Sequence, residues 1–419
     1  MITALRGTAD ILPPGTALWQ HVERAARVLF ERSGFAEIRT PMFEMTELFV
    51  RTVGDTTDIV EKEMYTFADK KGRSLTLRPE GTACVVRACI EHKLLAQSKL
   101  LKLWYMGPMF RYERPQAGRQ RQFNQIGLEL FGTYSPLADA EAIALLVRYF
   151  ESLGLNGLTV KINSLGDAQS RATYRDRLAA YAAPHKEALC PDCRRRMERN
   201  VLRLLDCKVE GCRTVMNAPE RPAMIDTLDE ASRARYHAVC AQLSRLEISY
   251  VEEPRLVRGL DYYRDTIFEV AHSALGAQDA LGGGGRYDGL VHSMGGPETG
   301  AVGWALGVER LVIALTQLNQ AVAAQPPVFL AAFDEQAVAD NLVLADTLRT
   351  AGIAAVAGYD KQSLKAQMRE ANASGARWVL ISGPDERLQG IVKLKDMADG
   401  TETAVAVDAV VGEMKKRNA

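Results

Sequence analysis

Apolar residues in the first third of the chain recur at two different periods. Between Leu18 and Ser33, Val22, Ala25, Ala26, Leu29 and Phe30 return every three to four residues, which predicts an amphipathic helix. Gly34 just beyond it is a helix stop. Glu37-Ile-Arg-Thr-Pro41 reads as a short strand ended by proline, and Thr76-Leu-Arg-Pro-Glu-Gly-Thr82 as a strand turning into a helix from about Ala83 to Leu95. Residues 101–131 read as two antiparallel strands around a basic loop, Pro115-Gln-Ala-Gly-Arg119. On the returning strand the period is two: Ile126, Leu128 and Leu130 point one way, and Gln125, Gly127 and Glu129 the other. The apolar face belongs on a core. The opposite face, a glycine between two polar groups, has the character of a pocket floor.

Helical spacing returns at 138–153. An arginine-rich, mostly helical stretch from about 170 to 250 then interrupts the strands and reads as an insertion. Strands resume at Thr266–Ala271 and Leu281, followed by a helix from about Leu306 to Leu318 and a linker at Gln320–Pro327. Beyond it Val328–Phe333, Ile353–Gly358 and Trp378–Ser382 read as strands alternating with helices at Asp334–Ala351 and Ser363–Ser374. Two more strands and a closing helix complete a small α/β domain. The expected class is α+β: a sheet-based domain over 1–325, with the insertion at about 170–250, and an α/β domain over 328–419.

Composition adds limits. The 419 residues are 47% hydrophobic and 25% charged, a globular balance. No apolar run approaches the ~18–20 residues of a membrane span, and the N-terminus lacks the cationic-then-apolar pattern of a secretory signal, so a cytoplasmic protein is expected. Lys plus Arg and Asp plus Glu balance at 52 each, so net charge gives no hint of a polyanionic partner. Local charge does: Arg111, Arg114, Arg119 and Arg121 stand against Glu113 alone, and Arg194, Arg195, Arg196, Arg199 and Arg203 against Glu198. Seven cysteines, an odd number, fit a reducing compartment. Four cluster as Cys190-x2-Cys193 and Cys207-x4-Cys212. That spacing is compatible with a structural zinc and with four ordinary reduced thiols, and no metal ligand is assigned.

The chemistry concentrates in two segments, Leu256-Val-Arg-Gly-Leu-Asp-Tyr-Tyr263 and Leu281-Gly-Gly-Gly-Gly-Arg-Tyr-Asp-Gly289. Consecutive glycines present bare backbone to a closely approaching ligand. These segments resemble the histidine-specific signatures of the histidyl-tRNA synthetase family. Phe110 to Gln125 is similar to motif 2 of class II aminoacyl-tRNA synthetases, Gly303 to Leu311 to motif 3, and Gly34 to Pro41 to motif 1, which builds the dimer interface in that class. The resemblance covers essentially the whole chain. It implies a class II antiparallel-sheet catalytic domain, a C-terminal anticodon-binding module and a homodimer. It also implies ligation of L-histidine to tRNA(His) through a histidyl-adenylate, with ATP and Mg2+ consumed or used and AMP and pyrophosphate released.

In that reaction negative charge gathers on phosphate oxygens, which always-charged arginines stabilise. By resemblance, Arg111 holds the α-phosphate, Glu113 the adenine end, and Arg119 and Arg310 the β- and γ-phosphates. Arg258 occupies the position at which the family places an extra catalytic arginine, between the α-phosphate and the substrate carboxylate. Glu129 and Tyr263, with Tyr262 beside them, are expected around the imidazole. Glu80, Gly81, Thr82 and Gln125 are expected around the ammonium and carboxylate. Tyr112 and Trp304 depart from the His or Phe expected in many members and should alter packing more than chemistry. The competing reading is a synthetase-like regulatory subunit of histidine biosynthesis that charges no tRNA. Such a protein should lack phosphate-binding arginines or the anticodon domain, whereas Arg111, Arg119, Arg258 and Arg310 and residues 328–419 are all present.

Overall fold

The two runs around the basic loop form the hairpin Leu101–Phe110 and Gln122–Phe131 at the heart of an eight-stranded sheet. The structure is a computed structural model that describes residues 2–54, 57–319, 326–360 and 362–418. All but Pro326 and Pro327 of the expected linker lie outside the described residues. The chain divides into two compact units, Met1–Val322 and Ala323–Ala419.

In the first unit the sheet order is Ala36–Glu37, Leu101–Phe110, Gln122–Phe131, Ala301–Gly307, Ala280–Arg286, Arg264–Ala271, Thr159–Ser164 and Tyr250–Glu252. Only the two outermost pairings are parallel. Ile126, Leu128 and Leu130 pack on a core with Phe30, Trp104 and Trp304, as their alternation requires. The first helix, Thr16–Arg32, closes that face with Val22, Ala26 and Phe30 buried, and Gly34 ends it at φ +80°. Trp304 is internal, its indole N–H donating to Ala142 O at 2.8 Å.

Of the stretch 170–250, the helices Ala168–Ala182, Pro191–Arg199 and Glu210–Asn217 share a second core under the opposite face of the sheet. The helix Glu230–Arg245 instead buries Tyr236, Val239 and Leu243 in the main core. The strand Ala301–Gly307 occupies the start of what reads from sequence as a helix from Leu306; the helix begins at Val308. Two glycines and two alanines in seven residues hide its strand character.

The glycine run lies inside the sheet, paired on both sides. A Cβ on Gly284 would run into Gly303 O and Trp304, and one on Gly285 into Thr266 O. Close strand packing therefore demands these two glycines. Gly282 and Gly283 face the cleft and are tightly packed too, a Cβ coming 2.8 Å from the Leu306 Cβ and 2.6 Å from Phe268 O respectively. This corrects the expectation that all four serve ligand approach. The residues that follow also face inward. Arg286 is fully buried, with Asp139 at 2.6 Å and Asp288 at 2.8 Å, and Asp288 accepts from Ala301 N at 2.7 Å.

The second unit is a five-stranded sheet in the order Ala355–Ala357, Val328–Ala332, Trp378–Ser382, Ile391–Asp396, Glu402–Ala406. The first three strands are parallel and the last two antiparallel to their neighbours. Asp334 caps its first helix, accepting from Ala337 N at 2.7 Å.

Candidate active site

The polar face of Gln122–Phe131, the glycine strand and the start of the helix Val308–Gln317 enclose a cleft of about 240 Å³. Glu80, Thr82, Arg111, Glu113, Arg119, Gln125, Arg258, Tyr262, Tyr263 and Arg310 all line it, although they come from four separate stretches of sequence. Glu129 and Gly81 do not line it.

One half is cationic. Arg111 donates from Nε to Pro79 O at 2.8 Å and lies over the Phe123 ring at 5.4 Å. Glu113 stands between two arginines, 3.2 Å from Arg119 and 3.9 Å from Arg111. Arg310 donates to Gly118 O at 3.2 Å and Ala280 O at 3.0 Å, pinning the motif 2 loop to the glycine strand. Burial, and then the charge of Arg119, hold the Arg310 guanidinium below its ordinary pKa. Arg258 sits 3.4 Å from Glu269 and 6.0 Å from the Tyr263 ring centroid. Its Nε is buried and has no hydrogen-bond partner among the described residues. A Cβ on Gly283 would come 2.6 Å from Phe268 O and 2.9 Å from the Arg258 guanidinium, so this glycine answers to the neighbouring strand as well as to the arginine.

The other half is walled by Tyr262, Tyr263, Thr82 and Gln125. Gln125 Oε1 is buried and has no partner among the described residues. Glu129 lies behind the wall, wholly buried. It accepts from the Thr82 hydroxyl at 2.6 Å and from the Tyr287 hydroxyl. Burial pushes its carboxyl up to about 8, against the pull of those two hydrogen bonds. Glu80 is almost fully buried and accepts from Thr82 N at 2.7 Å and Ala83 N at 2.9 Å. It thereby satisfies amides in the first turn of the helix Thr82–Glu91, where a carboxylate suits the helix dipole. Burial raises its pKa above the ordinary value. Gly81 and Gly127 both yield space to one side chain, the buried Tyr105, whose ring a Cβ at either position would strike.

Tyr112 points away from the cleft, half exposed, with the Arg121 guanidinium 4.0 Å from its ring centroid. With Trp304 in the core, both departures from the family pattern affect packing.

Sequence reasoning missed Phe123, Glu269 and Glu309, which also line the cleft, and Tyr105 and Tyr287 behind it. Glu269 was accessible from pattern, because on Arg264–Ala271 it alternates with Phe268 and Val270 of the core. Tyr287 was not, since its partner Glu129 is 158 residues away.

A second cavity, of about 520 Å³, adjoins Tyr262 and Tyr263 and is lined by Arg51, Arg171, Arg175, Arg199 and Arg264 against Asp167 and Asp261.

Residues 7–311 match the family model described as histidyl-tRNA synthetase, and residues 327–417 one described as an anticodon binding domain. The histidine--tRNA ligase of Desulforudis audaxviator (strain MP104C) is 51% identical over 99% of both chains. That of Synechococcus elongatus is also 51% identical, over 96% of this chain and 92% of its own. The crystal structure of apo histidyl-tRNA synthetase from S. aureus superposes with a TM-score of 0.83 at 37% identity, covering 99% of this chain and all of that one. A protein from Bacillus halodurans described as an ATP phosphoribosyltransferase regulatory subunit/histidyl-tRNA synthetase shares the fold at 23% identity, with a TM-score of 0.66 over 91% of this chain.

Proposed function

The chain belongs to the histidyl-tRNA synthetase family, and on that footing we propose that the cleft of Arg111, Arg258 and Tyr263 is where histidine meets ATP. The protein charges tRNA(His) with L-histidine at the expense of ATP; full-length relatives at about 50% identity favour this over the regulatory subunit. The observation that carries the site assignment is the convergence of Arg111, Arg119, Arg258 and Arg310 on one cleft that also holds Gln125, Thr82 and Tyr263.

The histidine carboxylate attacks the α-phosphorus of ATP, the bond to the bridging oxygen breaks, and pyrophosphate leaves. Arg111 and Arg258 flank the α-phosphate, with Arg258 also orienting the carboxylate. Arg119 and Arg310 hold the β- and γ-phosphates, and Glu113 the adenine end, with Phe123 as an aromatic wall. Positioning and cation stabilisation supply the catalysis. Glu269 and Glu309 are cleft carboxylates suited to Mg2+, which is commonly held by one or two carboxylates together with phosphate oxygens and neutralises their charge.

The imidazole is read by Tyr263 and Glu129, with Tyr262 alongside, the ring replacing the Thr82 hydroxyl on Glu129. Glu80, Gly81, Thr82 and Gln125 receive the ammonium and carboxylate. An analogue lacking one ring nitrogen strands a buried polar group, which is a strong basis for rejection. The test is calorimetric titration with a non-hydrolysable histidyl-adenylate analogue. Wild type should bind tightly, and Gln125→Ala and Arg258→Ala weakly. Equal affinity in all three would place the adenylate elsewhere.

The arginine-lined cavity beyond Tyr262 and Tyr263 suits the phosphates of the tRNA acceptor end. Residues 328–419 contact the anticodon end, through exposed Lys365 and Arg369 among others; Lys361, four residues before Lys365, lies outside the described residues. A homodimer forms through the motif 1 region, where Met42, Phe43, Met45 and Phe67 are exposed together, an unusual display for a lone subunit. Sedimentation of the intact protein at micromolar concentration should give the dimer mass. The reaction assigns the protein to the cytoplasm, which cell fractionation checks.

A further inference from the structure

We propose that Cys190, Cys193, Cys207 and Cys212 bind one structural zinc ion, which anchors the insertion against the loop carrying Arg258 and Asp261. The four come from two short segments, yet all four sulfurs lie within 4.8 Å of one another. A tetrahedron with Zn–S bonds of about 2.3 Å has edges of about 3.8 Å. The Cys190 and Cys207 sulfurs are 3.9 Å apart, close to that edge and far beyond the ~2.05 Å of a disulfide. A multi-iron cluster, whose bulk separates its ligand sulfurs, does not fit this span.

The backbone is arranged as a knuckle. Cys193 N–H is directed at Cys190 Sγ at 3.5 Å, and Cys190 N–H at Cys212 Sγ at 3.2 Å, so amides support sulfurs that must carry negative charge. Pro191 opens the helix Pro191–Arg199 immediately after the first ligand. Cys193 and Cys212 are buried and the other two half-buried. Four thiolates saturate a tetrahedral ion and leave no open position, so the site is structural. Binding displaces the thiol protons to solvent.

What the ion would hold in place is visible from the contacts of that helix and of the turn that follows it, Val201–Leu204. Arg203 and Arg196 reach Asp58 at 2.9 and 3.5 Å, and Arg199 reaches Glu61 at 2.9 Å. Asn200 donates to Asp261 at 3.3 Å. Asp261 lies three residues beyond Arg258 and one before Tyr262. The helices involved are nine and eight residues long, too short to be stable alone. A cross-link between them therefore bears directly on how firmly the Arg258 loop is seated.

The test is metal analysis of tag-free, full-length protein expressed with zinc in the medium and dialysed against metal-free buffer. We expect one zinc per chain, absent from Cys207→Ser and Cys212→Ser and retained in Cys240→Ser, whose cysteine lies in the main core. Because the ligand variants are open to misfolding, the wild type supplies an independent arm. Release of its zinc by a mercurial and replacement by cobalt(II) should give the intense visible bands of a tetrahedral all-thiolate site. Removal of the metal should lower amide-exchange protection in both 190–212 and 256–263. Wild type devoid of zinc, stoichiometric iron in its place, or equal zinc in all variants would overturn the site. Unchanged protection of 256–263 on zinc loss would overturn the anchoring role.

Discussion

Replacing Arg258 by alanine separates a catalytic from a structural role because its contacts within the protein are weak. The ion pair with Glu269 is 3.4 Å long between side chains about one-fifth exposed, a class of contact that contributes up to about 1 kcal/mol. Its contact with Tyr263, at 6.0 Å, adds roughly 0.5–1 kcal/mol. Glu269 keeps Lys161 at 4.0 Å as a residual partner. The expected loss of stability is therefore about 1–2 kcal/mol, well inside the ~5–15 kcal/mol that hold a domain folded. Loss of a charge aimed at the developing transition state costs roughly 2.7–4 kcal/mol, or about 10²–10³ in rate. Lysine should recover little, because the buried Nε of Arg258 belongs to a planar fork that an ammonium cannot reproduce. The assay is histidine-dependent pyrophosphate exchange, with circular dichroism and a thermal melt on the same preparation. A folded Arg258→Ala protein with near wild-type exchange would refute the reasoning.

Gly127→Ala should drive a methyl group into the Tyr105 ring, costing about 1–3 kcal/mol. Thermal melts should show the loss, and the histidine KM should rise because the floor between Gln125 and Glu129 shifts. Glu129 holds its proton to about pH 8, above the ordinary 4.5, so the folded state binds more protons than the unfolded one between those values. Its stabilising contribution is full below about 4.5 and is lost as pH rises through 8. The melting temperature of Glu129→Gln relative to wild type should therefore climb between pH 6 and 9, whereas parallel profiles would contradict the shift. Deleting residues 328–419 should spare histidine activation, impair transfer to tRNA and flatten the salt dependence of tRNA binding. Equal loss of both activities in a folded sample would show that these residues support the active site.

The hairpin at 101–131 and the cleft-facing Gln125 were legible because alternation over ten residues is a local signal, and the hairpin's basic loop marked its own turn. The alternating C-terminal elements were legible for the same reason. Ala301–Gly307 was hidden by its glycines and alanines, which exist to let Glu129 and the glycine strand pack closely. The glycine run was seen and its purpose half misread: all four glycines answer to the neighbouring strands, and Gly282 and Gly283 line the cleft as well. The depth of Glu129 and the burial of Arg286 with Asp139, 147 residues away, follow from pairings between distant segments, which no local period encodes. The cysteine spacing left two readings open, and what it could not show is that the fold brings the four sulfurs within 4.8 Å of one another.

The claim that this cleft activates histidine is tested most directly by ATP–pyrophosphate exchange with the intact protein and each of the twenty amino acids in turn. Exchange supported by histidine alone is the expected result. Exchange with a different amino acid, or none with histidine in a folded and metal-replete preparation, would contradict it.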